Sequence, residues 1–425
     1  MDAGRHGRCH QPRPGGAGRG HGDAASWDRG VTPPRPGPVR LTDRRARAWL
    51  TRAAEPGQAA TYALVRQVGP VEAVRLIRSR QAPPSVLSAV GSRCDEDRVD
   101  QDLSIARRFG IRLVTPEDDE WPAQMLHPML LAIERGVPDL APPLGLWVRG
   151  PLQVDEAVRK AVAVIGSRAS TAYGEHVAAE IAFGLADRGW TVVSGGALGI
   201  DGAAHRAALA ADGITVAVLA GGLDRPYPAA HGALFERIAG SGLLMSEWPP
   251  GCAPYRRRFL IRNRLIAALS AGTVVVEASA RSGTASTARR CRELGNSLMA
   301  VPGPVTSAVS VGTHELLRGG EEGGARLVCS AGQVLEEVGR LGDDLAEPPR
   351  APPVPRDGLD ALARSVLDGV PVRHPATPER IARAAGVAVL DVLRVLPALE
   401  LQDLVELTGE GWRLSAAERR ASSGG

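Results

Sequence analysis

A single lysine, Lys160, stands against fifty arginines in this chain of 425 residues. The scarcity has chemical consequences. A phosphate-binding P-loop needs Gly-Lys-Ser/Thr, and Lys160 follows Arg159, so that motif is absent. Schiff-base chemistry has one candidate amine only. Aromatics are also scarce, at 4% of residues, so the position of each one carries information. The five cysteines (Cys9, Cys94, Cys252, Cys291, Cys329) form no CxxC pair, and no HExxH occurs. This pattern points to reduced thiols in a cytoplasmic protein, with no metal and no cofactor expected. There is no apolar leader and no run of about 20 apolar residues, so neither secretion nor membrane insertion is expected.

What is present is the composition of a folded protein, 44% hydrophobic and 23% charged, over a length sufficient for two or three domains. The formal net charge is +4, yet residues 1–40 hold seven Arg and three Asp and account for all of it. A case for a polyanionic partner therefore rests on local charge. Residues 1–40, rich in Gly, Pro, Arg and His, are expected to be a disordered tail. Residues 41–100 turn helical. Thr42 is placed to cap a helix through Trp49 and Leu50 that stops near Pro56-Gly57, and Val68-Gly69-Pro70 marks a helix junction. We read the segment as a helical packing module, SAM-like or helix-hairpin-helix-like. A connecting segment follows, with short apolar runs at Ile111–Val114 and Leu144–Val148.

From Ala161 the pattern alternates. Strands are expected at Ala161–Ile165, Thr191–Ser194, Thr215–Leu219, Leu243–Ser246, Thr273–Glu277 and Leu298–Val301. The helices between them end at Asp187 or span Gly202–Ala211, Ala229–Ala239, Arg258–Leu269 and Thr284–Leu294. Short apolar strands alternating with helices define an α/β class, an open parallel sheet covered on both faces. With its connecting segment this domain is placed at residues 101–338. A linker follows at 339–358, Pro-rich from Glu347 to Pro355. Residues 359–416 hold a capping-box start at Thr377-Pro378-Glu379, a helix over Val389–Leu399 and a hairpin around Gly409-Glu410-Gly411. Helix, helix, hairpin is the order of a winged helix; residues 417–425 form a second tail.

Glycines follow the strands: Gly166-Ser167-Arg168, Gly195-Gly196, Gly221-Gly222, Ser282-Gly283-Thr284 and Pro302-Gly303. In an open α/β sheet, ligands bind outside the carboxyl ends of the strands, and glycine turns there let backbone amides face an anion. No GxGxxG occurs, since the next glycine after Gly166 is Gly174, which disfavours a dinucleotide. Arg168 offers a phosphate contact. Asp201 and His205 lie four apart on one helix and are expected to brace the loop. A triad with Ser194 is disfavoured, because that serine lies in no Gly-x-Ser-x-Gly elbow.

From Arg256 to Arg264 five of nine residues are arginine, interleaved with Phe259 and preceded by Tyr255. Guanidinium groups grip phosphates bidentately and rings offer bases a stacking face, the combination that holds a single nucleic-acid strand without reading its sequence. Such a run is also what a plain solvated helix face looks like, and Phe259 suits either a core or a stacking platform. Asn263, between two arginines, points to a polar network.

Together these strings resemble the DprA/Smf family of DNA-processing proteins. The matching pieces are Val164-Ile165-Gly166-Ser167-Arg168, Ser194-Gly195-Gly196-Ala197 with Gly199-Ile200-Asp201 and Ala204-His205, Gly222-Leu223-Asp224 with Tyr227-Pro228, and Ser246-Glu247. They continue with Phe259, Arg262-Asn263-Arg264, Val276-Glu277-Ala278, Ser282-Gly283-Thr284 and Val301-Pro302-Gly303. The resemblance implies a Rossmann-like fold that forms a homodimer, binds and protects single-stranded DNA, and loads RecA onto it in transformation. It maps DNA binding onto Gly166, Ser167, Arg168, Gly195, Gly196, Arg256, Phe259, Arg262, Asn263 and Arg264, and implies no catalysis. The acidic Gly-rich stretch Glu321-Glu322-Gly323-Gly324 departs from the family pattern.

Two rivals belong to other classes. Nucleotide phosphoribohydrolases that resemble lysine decarboxylases carry Pro-Gly-Gly-x-Gly-Thr-x-x-Glu with a catalytic Glu. The nearest string here puts Thr287 at that position, leaving Glu277 and Glu293 as substitutes. A transcription regulator would use the C-terminal domain, but residues 387–399 contain one arginine, Arg394, beside Asp391. A protein-interaction role suits that domain at least as well.

Overall fold

The computed structural model describes residues 41–280, 283–319, 324–339, 358–416 and 418–419. The expected N-terminal tail, nearly all of the Pro-rich linker, residues 320–323 of the acidic Gly-rich stretch and residues 420–425 lie outside the described residues. The contacts divide the chain into two units, 1–338 and 339–425.

Among the described residues the first unit starts with five α-helices, α1 (Leu41–Ala53), α2 (Ala59–Val68), α3 (Pro70–Arg78), α4 (Pro84–Val90) and α5 (Val99–Arg108). Gly69, at φ +82°, and Pro70 at the first position of α3 make the expected junction: the glycine adopts a conformation other residues avoid, and the proline needs no amide partner there.

Nine strands follow: β1 (Ile111–Val114), β2 (Leu146–Arg149), β3 (Ala161–Ile165), β4 (Thr191–Ser194), β5 (Thr215–Leu219), β6 (Leu243–Ser246), β7 (Gly272–Val275), β8 (Ser297–Ala300) and β9 (Arg326–Leu327). They form one sheet in the order β1-β2-β6-β5-β4-β3-β7-β8-β9. From β6 to β9 every neighbouring pair is parallel. The two apolar runs of the connecting segment become antiparallel edge strands, β2 against β6 and β1 against β2, so the expected all-parallel sheet is mixed at one end. Those runs are too short and featureless to reveal direction; a hydrogen-bond partner decides it.

The α-helices between the strands are α6 (Ala123–Glu134), α7 (Val154–Val158), α8 (Ala172–Asp187), α9 (Ile200–Ala210), α10 (Gly232–Ser241), α11 (Arg256–Ala268), α12 (Thr284–Leu294) and α13 (Val311–Arg318), and α14 (Ala331–Val338) follows β9. Alternation within the strands sorts their side chains between two faces. Ala161, Ala163 and Ile165 share a core with Leu265 and Ile266 of α11 and Ala288 and Cys291 of α12. Val162 and Val164 face Ile181 of α8, Ala204 of α9 and Val334 of α14. On the β5–β6 side, Ala217, Leu219 and Leu244 join Trp49, Leu50, Leu64 and Ile77 of the N-terminal helices. Each fully buried Val, Leu or Ile contributes about 1.5–3 kcal/mol, which is why strands this short persist.

After β3 the chain adds β4, β5 and β6 on one side, then crosses to β7 on the other. The carboxyl ends of β3 and β7 are therefore the topological switch point, where adjacent loops diverge and leave a crevice.

The second unit has α15 (Ala361–Asp368), α16 (Pro378–Ala385), α17 (Val389–Leu401) and a hairpin of β10 (Val405–Thr408) and β11 (Gly411–Leu414). Val366, Ile381, Val392, Leu396 and Leu414 are in its own core.

Candidate nucleic-acid interface

A cleft of about 670 Å³ opens at the switch point. Its lining includes Gly166, Ser167 and Arg168 from the end of β3, Ala197 and Asp201 from the loop into α9, and Arg256, Phe259, Arg262 and Asn263 from α11. Ser279, Gly283, Thr284 and Thr287 form the wall beyond β7. Gly166 admits no side chain, since a Cβ would meet Ile200 and the Glu277 carbonyl oxygen. The backbone of β3 thus runs directly into the cleft.

Asp201 holds the second loop. Its Oδ2 accepts from the Gly195 amide at 3.1 Å and the Ala197 amide at 3.3 Å. Burial raises its pKa, opposed by the Arg262 charge and these amides. His205, the other expected brace, does something else. It is fully buried one turn further along α9, with Nδ1 2.7 Å from Thr215 Oγ1 of β5. That hydroxyl spends its hydrogen on the Val192 carbonyl, so Nδ1 must carry the proton that His205 donates. Burial lowers the His205 pKa to about 3; this neutral imidazole stitches helix to sheet and makes no hydrogen bond to the loop. Ser194 is buried too, its hydroxyl donated to the Val164 carbonyl at 2.7 Å.

The arginine run divides among three environments. Arg256 and Arg257 are exposed in the first turn of α11, and neither makes a hydrogen bond or ion pair among the described residues; Arg256 lines the cleft. Arg258 turns towards the N-terminal helices, donating to Glu55 at 2.9 Å and to the Ala253 carbonyl at 2.9 Å. Arg262 forms part of the cleft floor, 4% exposed. Its Nη1 donates to the Gly195 carbonyl at 2.8 Å and to the Val218 carbonyl. Burial lowers its pKa to about 10, against the Asp201 charge, and leaves it cationic at neutral pH.

Arg264 corrects the sequence reading. It is 1% exposed, ion-paired with buried Glu247 and bonded to the Ala141 carbonyl at 2.7 Å. One residue of helix turns it about 100° away from Asn263, into the interior, where it meets no solvent. Gly195 and Gly196 also lie behind the lining. A Cβ on Gly195 would collide with the Arg262 guanidinium, and Gly196, at φ +67°, packs on Phe235. Asn263 fulfils the expected network, its Nδ2 donating to the Gly283 carbonyl at 3.2 Å across to the start of α12.

Phe259 is half-buried, neither core nor free. The exposed Arg168 guanidinium lies 5.0 Å from its ring centroid, and Tyr227 meets it edge-on at 5.9 Å. Sequence reasoning missed Ser279, Thr284 and Thr287 as lining residues, although Ser282-Gly283-Thr284 signalled the loop. Arg168 and Phe259 are 91 residues apart in sequence and meet only in the fold.

Glu277 is buried just beyond β7, accepting from the Thr171 amide at 3.0 Å and the Thr171 hydroxyl at 2.6 Å. Glu293, at the far end of α12, pairs with Arg290 at 2.8 Å. Among the described residues no group of three or more His, Cys, Asp or Glu is placed to hold a metal, and no helix is long and apolar enough to cross a membrane.

Fold and cleft together define an open, mostly parallel α/β protein with a crevice at the switch point, walled in part by arginine and aromatic side chains. Residues 112–339 match the family of DNA recombination-mediator protein A. A Mycobacterium tuberculosis protein named as a DNA processing protein DprA is 49% identical over 379 residues, 89% of this chain and 96% of that one. Protein Smf of Escherichia coli is 41% identical over 197 residues, 46% of this chain and 51% of that one. The X-ray structure of DNA processing protein A from Streptococcus pneumoniae aligns with a TM-score of 0.56 at 30% identity, covering 69% of this chain and 98% of that one. The chain belongs to the DNA recombination-mediator protein A family, the DprA/Smf proteins.

Removing one partner of a buried ion pair strands the other, so Arg264→Ala should cost about 3–5 kcal/mol in denaturant unfolding, while Arg256→Ala should stay within about 0.5 kcal/mol. An unchanged midpoint for Arg264→Ala would return that residue to the surface. For His205 the folded pKa lies below the unfolded value of about 6.5. Its full stability is present above that pH and is lost as the pH falls towards 3, by at most about 1.4 kcal/mol per pH unit. His205→Leu should lack this component of the acid slope; parallel pH profiles for the two proteins would refute the neutral buried imidazole.

Proposed function

We propose that this chain binds single-stranded DNA in the switch-point cleft without reading its sequence, and so protects it. The observation that carries this reading is the Arg168 guanidinium beside the half-buried Phe259 ring at the cleft, with Arg256 on the same lining. A phosphate takes the cations, a base takes the ring, and the amides near Gly166 and Ser167 complete the backbone grip. Arg262 contributes charge from the floor but no free fork, since its Nη1 is bonded to two carbonyls. Arg264 has no part in binding.

Family membership supports a place in recombination, with the chain as a homodimer in the cytoplasm loading RecA onto incoming DNA during transformation. We read residues 41–100 as a helical module, 101–338 as the Rossmann-like DNA-binding domain and 359–416 as a winged-helix-like domain. In the last, residues 387–399 hold one arginine, Arg394, beside Asp391, which disfavours duplex recognition, and a protein contact suits the domain at least as well. We read the protein as a non-enzyme. A nucleotide hydrolase needs a free carboxylate at the cleft, and the Glu277 carboxylate is held by Thr171.

Titration of oligo(dT) and blunt duplex across salt concentrations tests the reading. Single strand should bind tighter, and log K should fall with log salt by about 0.7 per neutralised phosphate. Arg168→Ala and Arg256→Ala should each weaken binding and each reduce that slope by about 0.7. Equal affinity for the duplex, or an unchanged slope in both variants, would overturn it.

A further inference from the structure

The first turn of α11 starts a helix with the wrong charge. Arg256, Arg257 and Arg258 are its first three residues, Tyr255 before them gives no side-chain cap, and the turn holds no acidic residue. The N-terminus of a helix carries partial positive charge and four amides without intrahelical partners. Three cations there oppose the helix, and no side chain caps its amides. The Phe259 amide reaches the Tyr255 carbonyl only at 3.4 Å. Yet this turn carries Arg256 and Phe259 onto the cleft lining, where the Arg168 guanidinium adds a fourth cation 5.0 Å from the Phe259 ring centroid.

One carboxylate answers this charge, and it comes from another element. Glu55, just beyond α1, accepts from Arg258 Nη2 at 2.9 Å, and its other oxygen accepts from Trp248 Nε1 at 3.2 Å. Burial works to raise its pKa; the hydrogen bonds and charge of Arg258 with the Trp248 bond more than offset this and hold it lowered, so the group is anionic at neutral pH. Among the described residues no other carboxylate forms an ion pair with this turn. Arg258 also donates to the Ala253 carbonyl at 2.9 Å, and its guanidinium lies 5.0 Å from the Tyr255 ring centroid and 5.3 Å from that of Trp248. Arg52, in the last turn of α1, donates to the Pro250 carbonyl at 2.9 Å. The end of α1 thus holds both the loop that enters α11 and the opening turn of that helix.

We propose that Glu55 is a positioning residue for single-strand binding: through Arg258 it keeps the first turn of α11 wound, and so keeps Arg256 and Phe259 at the cleft. This role rests on the single-strand reading of the cleft, although Glu55 is not part of the lining. A phosphate held by Arg256 brings a second anion to the same turn. DNA and Glu55 then favour one state, the wound turn, and each strengthens the other. Charge alone predicts the opposite sign. Deleting an anion near the binding face of a polyanion raises affinity, whereas losing a positioning anion lowers it.

Glu55→Gln and Arg258→Gln in the full chain, alone and together, test this by oligo(dT) titration across salt concentrations and by hydrogen exchange. Glu55→Gln should weaken binding by about 2- to 30-fold, the range for residues that act on a site without touching its ligand. Its salt slope should match that of the parent, since no phosphate contact is lost. Arg258→Gln should behave alike, and the double variant should bind no more weakly than Arg258→Gln alone. Without DNA, the amides of residues 258–261 should exchange faster in both single variants while α8 and β4 stay protected, and saturating oligo(dT) should restore them. An unchanged or raised affinity in Glu55→Gln, with Arg168→Ala still impaired, would overturn the positioning role and leave the cleft standing. Additive losses in the double variant would do the same. Loss of protection throughout the fold in both single variants would make the pair structural only and equally overturn it. If the parent protein binds no single strand, the cleft reading falls and this role falls with it.

Discussion

One buried guanidinium holds the cleft in shape. Arg262 reaches from α11 to the carbonyls of Gly195 and Val218 at the ends of neighbouring strands, with Asp201 supplying countercharge from α9. Strand ends in an open sheet leave carbonyls that no helix satisfies, and a buried unpaired carbonyl is costly. Arg262 meets two of them, and in doing so fixes α11 against the β4 and β5 ends. Asp201 performs the complementary task with the amides of Gly195 and Ala197. The loop after β4 is thus held by a cation on its acceptors and an anion on its donors. Its glycine at 195 is needed because the guanidinium occupies the space a side chain would take.

Helix α11 then serves two masters. Arg258 and Arg264 point into the body of the first unit, to Glu55 and Glu247, while Arg256 and Phe259 face the cleft. Because α1 ends just before Glu55, the N-terminal helices bear on the same helix that carries one wall of the cleft. That contact ties the N-terminal helices to the helix whose Arg256 and Phe259 line the cleft. None of those helices contributes to the cleft lining itself.

The strands were legible because a doubly covered parallel strand is almost uniformly apolar, and most of the runs here end at or just before a polar, glycine or proline residue. The crevice was legible for the same reason, since glycines after successive strands fall at one edge of such a sheet. The fate of individual arginines was not. Arg256 and Arg264 are equal as letters, and the burial of Arg264 depends on Glu247, which lies seventeen residues earlier on another element. His205 was misread for a related reason: helical spacing places it on the same side as Asp201, but its partner Thr215 is on a strand that the spacing does not reveal. Phe259 stayed ambiguous in sequence because it is physically intermediate, one side of its surroundings protein and the other the cleft.

The near-absence of lysine bears on the site's chemistry. The net charge of the chain comes from its tail, so the field at the cleft is a matter of pairing. Arg258 and Arg264 are neutralised by partners, whereas Arg168, Arg225, Arg256 and Arg257 make no ion pair among the described residues. Local positive charge is what remains after the interior has used its share. The floor shows why arginine suits this arrangement. Burial brings Arg262 down to about 10, still well charged at neutral pH. A lysine starts near 10.4 and loses its proton readily when buried, so the same desolvation would carry it towards neutrality and release the strand-end carbonyls. Arginine keeps its charge and also offers a planar set of donors that spans two carbonyls at once. Arginine is thus the residue able to remain charged in the floor of the cleft.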